Sequence, residues 1–246
     1  MSGKLAALVA GAGACVLLAG CSAAPVDQRP VLHIAEAAKP SPAVPLGRFL
    51  PDALELSAAL GTGPAGFTGQ LVQGDGHMLL DGVAETDATP AECVGAAYRL
   101  QRSVYNGSPV QSVATNSWAG GGFDGPPVSG FFGVVQMTSA VAAQQFFAAA
   151  TDRWRRCDGE TLARHGSGQV VDELSRITDV VFDRRVVSAS VLHASDGTGS
   201  PTGMRALGVA GDCIVEVELT DPRPSADTHG AAGVANLILD KITTRR

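Results

Sequence analysis

The chain has 246 residues and a formal net charge of −6, with 45% hydrophobic, 17% charged and 5% aromatic side chains. This composition excludes a coiled coil, a collagen-like chain and a highly charged disordered protein. It also disfavours a nucleic-acid-binding protein, because 18 basic residues against 24 acidic ones leave no excess positive charge to neutralise phosphates.

The first twenty residues are typical of a secretory signal peptide. Lys4 is followed by an apolar run that continues to Gly20, which is short for a membrane-spanning helix of about 20 residues. The run ends in the letters LAGC, with Cys21 last, and this resembles the bacterial lipobox, in which cleavage precedes a cysteine that receives a lipid. We predict a signal peptide at residues 1–20 and lipidation of Cys21. The alternative is a chance match at the end of an ordinary signal peptide.

Lipidation of Cys21 would hold the mature protein on the extracytoplasmic face of the cell membrane. Removal of Lys4 with the signal peptide changes the net charge from −6 to −7, because 17 basic and 24 acidic residues remain. An acidic protein gains no electrostatic attraction to an anionic bilayer. The lipid is therefore the predicted membrane contact.

A tether rich in proline and alanine is predicted at residues 21–46, where Pro25, Pro30, Pro40, Pro42 and Pro45 occur. Segments of this composition are extended and semi-rigid. The remaining residues, 47–246, are enough for one domain with a single hydrophobic core.

Four helices are predicted from apolar residues spaced three and four apart and from capping residues at helix starts. In chain order they span Pro51–Leu60, Thr89–Leu100, Thr138–Cys157 and Ala226–Thr243. The second would take Thr89 as its N-cap and carry Cys93 on its apolar face, together with Leu100. The third would carry Cys157 at its end.

Strands are predicted where short apolar runs, several alternating with polar residues, lie between turn signals. They cover Gly66–Gln73, Val110–Trp118, Phe131–Met137, Val180–Val191 and Met204–Leu219. The last is a hairpin that turns near Gly211. In its second arm the odd-numbered residues from Cys213 to Leu219 share one face, and Glu216 and Glu218 lie on the other. The order of elements predicts an α+β domain, in which an antiparallel sheet is flanked by helices.

The five cysteines divide by position. Cys15 would leave with the signal peptide and Cys21 would carry the lipid, so Cys93, Cys157 and Cys213 would remain in a compartment that permits disulfides. Three single pairings are possible, and each leaves one thiol over.

The residues around Cys93 and Cys157 resemble a known family. The stretch PAECVGAAY at residues 90–98, and the stretch AVAAQQFF at residues 140–147 that runs on to Trp154 and Cys157, are similar to the extracellular sensor domain of PknH-type mycobacterial receptor Ser/Thr kinases. The same domain occurs in mycobacterial lipoproteins that lack a kinase. The resemblance covers residues 47–246, and it implies an α+β domain with a large cleft for an unknown ligand.

The resemblance also implies a disulfide between Cys93 and Cys157. The family usually has a second disulfide, but the partner expected for Cys213 is missing at residues 168–171, which read GQVV. Cys213 would then be a buried thiol that packs as a small hydrophobe, or it would pair between molecules.

No local motif predicts catalysis. The sequence has no G-x-S-x-G, S-x-x-K or Walker motif, and its five histidines are never three or four residues apart, so we predict no catalytic residue, metal site or cofactor. Gly61–Gly66 matches G-x-G-x-x-G, but a predicted helix precedes it and a predicted strand follows, which indicates a turn. Among the histidines, His165 and His193 are the first to examine.

The glycine-rich loop Ala119–Gly130 is the best local candidate for a ligand-binding segment, because long loops in compact domains often bind ligands. Trp118 and Phe123 would supply apolar contacts there; the alternative is a connection without a function. We predict a non-catalytic cell-surface domain that binds an unknown partner, small molecule or cell-envelope ligand. Two alternatives stay open: a hydrolase whose triad comes from distant residues, and a carrier with an aliphatic cavity.

The substitution Cys21→Ala should abolish lipidation, because alanine has no thiol to form the thioether bond. In detergent phase separation the variant should move to the aqueous phase, whereas Cys15→Ala, which keeps the acceptor thiol, should stay with the detergent. Retention of the Cys21→Ala protein in the detergent phase would contradict the lipobox.

Overall fold

The computed structural model describes residues 45–62, 66–120, 127–166, 170–195, 198–199, 203–222 and 230–245. The predicted signal peptide, Cys21 and nearly all of the tether lie outside these residues, and so does Phe123. The chain divides into two units, residues 1–37 and 38–246, and every described residue belongs to the second. No helix in the described ranges is long and apolar enough to cross a membrane.

Antiparallel strands dominate the described part of the chain, where eleven of them form one sheet. The strands are β1 (Phe67–Thr68), β2 (Val72–Gly74), β3 (Ala88–Thr89), β4 (Val110–Gly120), β5 (Val128–Met137), β6 (Thr161–His165), β7 (Val171–Asp183), β8 (Val186–Ser195), β9 (Thr198–Gly199), β10 (Gly203–Ala210) and β11 (Cys213–Thr220). Their order across the sheet is β1-β4-β5-β11-β10-β8-β7-β6-β3, with β2 also paired to β4 and β9 to β8.

Helices pack against this sheet and complete the predicted α+β fold. The α-helices are α1 (Ala53–Leu60), α2 (Val94–Ala97), α3 (Ala140–Arg156) and α4 (Gly230–Arg245). Short 3-10 helices lie at Leu46–Phe49, Gly76–Met78, Glu85–Asp87 and Ala91–Cys93. The fold class expected from the sequence is confirmed.

The helices cover both faces of the sheet. On one face, which we call the α3 face, α2 and α3 pack in a core that includes Trp154 and Ile214. On the other, the α4 face, α1 and α4 pack in a core that includes Trp118. The alternation of side chains along β11 accounts for the division, because Ile214 belongs to the first core and its neighbours Cys213 and Val215 belong to the second.

Three of the predicted helices are confirmed with small shifts. α1 begins at Ala53 because Asp52 is its N-cap, and the Asp52 side chain accepts from the backbone of Glu55 while the Glu55 side chain accepts from that of Asp52. α3 begins after Ser139, whose hydroxyl accepts from the backbone N–H of Ala142. The described part of α4 begins at Gly230.

The predicted helix Thr89–Leu100 is wrong over most of its length. Thr89 lies in β3, and no side chain caps the 3-10 helix that follows. α2 contains only Val94–Ala97, because Tyr98 adopts an extended backbone and ends it. Leu100 is buried as predicted, but it has a positive φ of 50° and lies outside any helix.

Most predicted strands are confirmed, and several are longer than expected. β4 continues to Gly120 and β5 starts at Val128, so the predicted loop Ala119–Gly130 is too long. The segment Gly66–Gln73 contains β1 and the start of β2 rather than one strand. The hairpin of β10 and β11 is confirmed, with Ala210 opposite Cys213.

The cysteines follow the pairing that the family resemblance implied. Cys93 and Cys157 form a disulfide, with their Cα atoms 5.6 Å apart. Cys213 is a free, fully buried thiol in the core of the α4 face. Burial raises its pKa to about 12. Its expected role as a small buried hydrophobe is confirmed, and in the folded chain the thiol has no exposed surface through which to meet another molecule.

Replacing both Cys93 and Cys157 with serine should lower the free energy of unfolding by about 4 kcal/mol, because the disulfide closes a long loop in the unfolded chain. Urea unfolding of the double variant measures this loss. Cys213→Ala, which leaves the disulfide in place, should lose about 1–2 kcal/mol. A peptide map of the non-reduced wild-type protein that links Cys157 to Cys213 would contradict the assignment.

Candidate functional site

After α2 the chain runs across the α3 face as a segment that we call the crossing segment, Tyr98–Gln101. Its first side chain reaches β7 and its second reaches β11. Leu100 adopts a positive φ of 50°, which is unusual for a bulky residue and costs about 1–3 kcal/mol unless the surroundings impose it. Residues held in this way occur preferentially at binding sites.

Hydrogen bonds fix the crossing segment at each residue. The Tyr98 hydroxyl donates to Glu173 Oε1 at 2.8 Å, and the Leu100 backbone N–H donates to Glu216 Oε2 at 3.0 Å. The Gln101 side chain donates to the carbonyl of Arg99 at 2.9 Å. Gly133 makes room for the Leu100 side chain, because a Cβ there would lie 2.8 Å from a Leu100 methyl carbon.

A buried ion pair lies beneath the crossing segment. Arg205 and Glu216 are 1% and 4% exposed, and Arg205 Nη2 donates to Glu216 Oε2 at 2.8 Å. The Tyr105 hydroxyl donates to Glu216 Oε1 at 2.6 Å. Burial and, after it, the negative charge of Glu216 raise the pKa of Tyr105 well above its usual value. The alternation along the strand predicted that Glu216 and Glu218 lie on the face opposite Cys213, but it did not predict the burial of Glu216.

A second, outer ion pair joins this core to the surface. Arg99 Nη1 donates to Glu218 Oε1 at 2.6 Å, and the other oxygen of Glu218 lies 3.8 Å from Arg205 Nη1. The Arg99 guanidinium lies 3.8 Å from the centre of the Phe131 ring, which is a cation–π contact. Arg205 Nε and Nη1 are buried without a hydrogen-bond acceptor. The Glu218 carboxylate therefore lies between two guanidinium groups.

Beside the outer pair is an open groove of about 260 Å³, which we call the Arg99 groove. Its apolar lining is formed by Val72, Met78, Leu80, Leu100 and Phe131, and its polar lining by Gln70, Arg99, Thr115, Asn116 and Ser117. Phe132 also borders the groove, but its side chain is buried in the core of the α4 face. Val72, Leu80 and Phe131 are 40%, 38% and 41% exposed. Mixed walls of this kind are those expected of a sensor cleft rather than of an aliphatic carrier cavity.

The predicted site residues lie elsewhere. Trp118 is in β4 and is only 2% exposed, on the α4 face and thus on the far side of the sheet from the groove. Gly66 and Gly120 pack against its ring, since a Cβ at either would lie within about 2.2 Å of indole atoms. The expectation that Trp118 offers an accessible loop contact is therefore wrong. Phe123 lies outside the described residues.

Of the two histidines singled out in the sequence, His193 belongs to a polar cluster. Its Nδ1 lies 2.8 Å from Ser175 Oγ and 3.0 Å from Glu173 Oε1. In a catalytic triad the serine and the carboxylate engage opposite ring nitrogens, and here both contact the same one. Ser175 is also fully buried, so this cluster does not match the predicted alternative of a hydrolase triad.

The other histidine, His165, ends β6 and has a buried Nδ1 without a hydrogen-bond partner. Among the described residues, no group of three histidine, cysteine, aspartate or glutamate side chains could hold a metal ion. The described part of the chain therefore offers no evident metal site.

A known crystal structure shares this fold. The crystal structure of the extracellular domain of PknH from Mycobacterium tuberculosis matches with a TM-score of 0.67 and 20% sequence identity, over 84% of this chain and 99% of that one. At this identity the match establishes the fold. An uncharacterized protein from Mycobacterium smegmatis matches with a TM-score of 0.41 and 12% identity, over 83% of this chain and 96% of that one. No curated protein matches the chain.

The chain belongs to the family of PknH-like extracellular domains, which it matches over residues 41–244. This confirms the family resemblance stated from the cysteine-containing stretches. Membership in a family of extracellular domains also fits an extracytoplasmic location.

Glu216→Gln should lower the free energy of unfolding by about 3–5 kcal/mol, because it removes the hydrogen-bonded counter-charge of the buried Arg205 and leaves only the Glu218 carboxylate, 3.8 Å away. Glu218→Gln, at a partly exposed position, should cost about 1 kcal/mol. Urea unfolding measures both. The double variant Glu216→Leu with Arg205→Met should be more stable than Glu216→Leu alone, since it removes both charges. Equal losses for Glu216→Gln and Glu218→Gln would contradict the central role of Glu216.

Neither of the two tyrosines in the chain should ionise near pH 10 in the folded protein. Burial, as the largest cause, raises the pKa of Tyr98 from 10.0 to about 12 and that of Tyr105 well above its usual value. Because the pKa of Tyr98 is higher in the folded than in the unfolded protein, keeping its hydroxyl protonated stabilises the fold. This stabilisation is complete below pH 10 and is lost as the pH rises through 12.

Absorbance at 295 nm during a pH titration reports tyrosinate. In 8 M urea both tyrosines should titrate near pH 10, whereas the folded protein should show no step there. Tyr98→Phe separates the two signals, because only Tyr105 remains. A step near pH 10 in the folded wild-type protein would contradict the predicted burial of the hydroxyl groups.

Proposed function

We propose that this chain is the ligand-binding domain of a lipid-anchored protein on the extracytoplasmic face of the cell membrane. Ligand would bind in the Arg99 groove, and the domain would have no catalytic activity of its own. Cys21 would carry the lipid, and residues 21–46 would connect it to the domain. Membership in a family of extracellular, sensor-type domains supports this assignment.

The groove is the observation that carries the proposal. It presents a few placed polar groups among predominantly apolar walls, which is the usual composition of small-molecule sites. Its volume of about 260 Å³ lies near the lower limit for drug-sized ligands. It would therefore accept one small molecule or one end of a larger one.

The rigidity of its walls also favours binding. Arg99 and Leu100 belong to the crossing segment, which hydrogen bonds fix to Glu218 and Glu216. Phe131, Thr115 and Ser117 lie on two paired strands of the sheet. When the side chains of a site are already held in place, they lose little conformational entropy when ligand binds.

Native mass spectrometry of the full chain, purified from its own host, should reveal a bound molecule. Val72→Glu places a carboxylate in the groove and should remove it, because burying an unpaired charge against an apolar ligand is costly. Leu54→Glu is the matched control, since Leu54 is 73% exposed and lies on α1, away from the groove. A bound molecule that survives Val72→Glu would overturn the assignment of the site.

A further inference from the structure

The Arg99 groove carries an asymmetry of charge. Arg99 is the only charged side chain among the described residues that line it. One guanidinium nitrogen, Nη1, bonds to Glu218 at 2.6 Å. A planar guanidinium has five N–H donors in a fork that matches a carboxylate or phosphate. The groove therefore presents one cationic donor group and has no acidic side chain along its described walls.

Glu218 would have to give up part of its contact with Arg99 if an anionic group bound there. The structure offers it a second partner. Glu218 Oε2 lies 3.8 Å from Arg205 Nη1, and this Nη1 is buried without an acceptor. A shift of about 1 Å would bring the two atoms into hydrogen-bond range. The same carboxylate can thus serve either Arg99 or Arg205.

This second partner offsets the competition between ligand and Glu218. A buried N–H without an acceptor is destabilising, and an ion-paired hydrogen bond removes that penalty. Arg205 is 1% exposed and its Nη2 is already bound to Glu216, so the guanidinium is fixed in place to receive Glu218. A cationic ligand would not gain such a compensating hydrogen bond. Arg99 would repel it, and Glu218 already lies between two arginines.

We infer that the Arg99 groove binds a single-chain amphiphile with an anionic head group. The apolar chain lies against Val72, Leu80 and Phe131, and the head group accepts hydrogen bonds from Arg99 while Glu218 moves toward Arg205. This inference rests on the proposed function, and it adds the chemical class of the ligand and the residue that recognises its charge.

Three probes with the same ten-carbon chain test the class: decanoate, decanol and decyltrimethylammonium. Isothermal titration calorimetry on the purified chain, below the solubility limit of decanol and the micelle-forming concentrations of the two ionic probes, should rank their affinities in that order. Decanoate should bind about tenfold more tightly than decanol, which is the effect expected of one charge-assisted interaction. Equal affinities for decanoate and decanol would overturn the anionic head group.

Two variants test the roles of the charged residues. Arg99→Met should abolish the preference for decanoate and leave decanol unchanged, and Arg99→Lys should keep part of the preference. Glu218→Gln should strengthen decanoate binding a few fold, because it removes the competing charge. If Glu218→Gln instead weakens decanoate as much as Arg99→Met does, Glu218 only positions Arg99 and the exchange of partners is wrong.

A similar pair of residues elsewhere supplies matched controls. Arg155 lies 3.9 Å from Asp152 and 4.9 Å from the centre of the Phe182 ring, and none of these residues lines the groove. Arg155→Met and Asp152→Asn should leave all three affinities unchanged. Circular dichroism melting of each variant identifies any that fails to fold, and Arg99→Lys then carries the test in place of Arg99→Met.

The outcomes separate this inference from the proposed function. If no decyl probe binds but a host-derived molecule is lost on Val72→Glu, the groove is a ligand site and the anionic amphiphile is wrong. If decanoate binds and Val72→Glu has no effect on it, the groove is not its site, and the inference falls together with the assignment of the groove.

Discussion

The carboxylate of Glu216 is the constraint on which the arrangement of the α3 face depends. It accepts hydrogen bonds from Arg205 in the neighbouring strand, from the hydroxyl of Tyr105 and from the backbone of Leu100. A buried carboxylate is tolerable only when such partners compensate for the loss of water. The same bonds hold Leu100 at its positive φ of 50°, so one charged group fixes both the core and the segment above it.

The hydrogen bonds to Glu216 also fix the geometry of the Arg99 groove. With the backbone of Leu100 tied to Glu216, the preceding residue, Arg99, is directed toward Glu218 and the ring of Phe131. The disulfide of Cys93 lies a few residues upstream and ties the start of α2 to the end of α3. At the other end of the crossing segment, the Gln101 side chain accepts a hydrogen bond from the backbone of Val83 at 2.8 Å. The segment is thus held at both of its ends.

Regular elements could be read from the sequence, and irregular ones could not. α3 and the β10–β11 hairpin are confirmed because their apolar spacing continues over many residues. The spacing from Cys93 to Leu100 imitates a helix, but Leu100 reaches the core by a left-handed turn instead. Trp118, at the end of a predicted strand, was expected to make an apolar contact in the glycine-rich loop that follows, whereas Gly66 and Gly120 leave space for a buried indole.

The sequence by itself determined the α+β class, most strands and the family, and through the family the disulfide. It also determined the hairpin turn near Gly211, and in the structure this hairpin places Arg205 opposite Glu218. Only the tertiary structure decided that Glu216 is buried and that Arg99 borders a groove. The physical reason is that burial depends on what covers a residue, and the cover over Glu216 comes from the segment containing Leu100 and Tyr105, more than a hundred positions earlier in the chain.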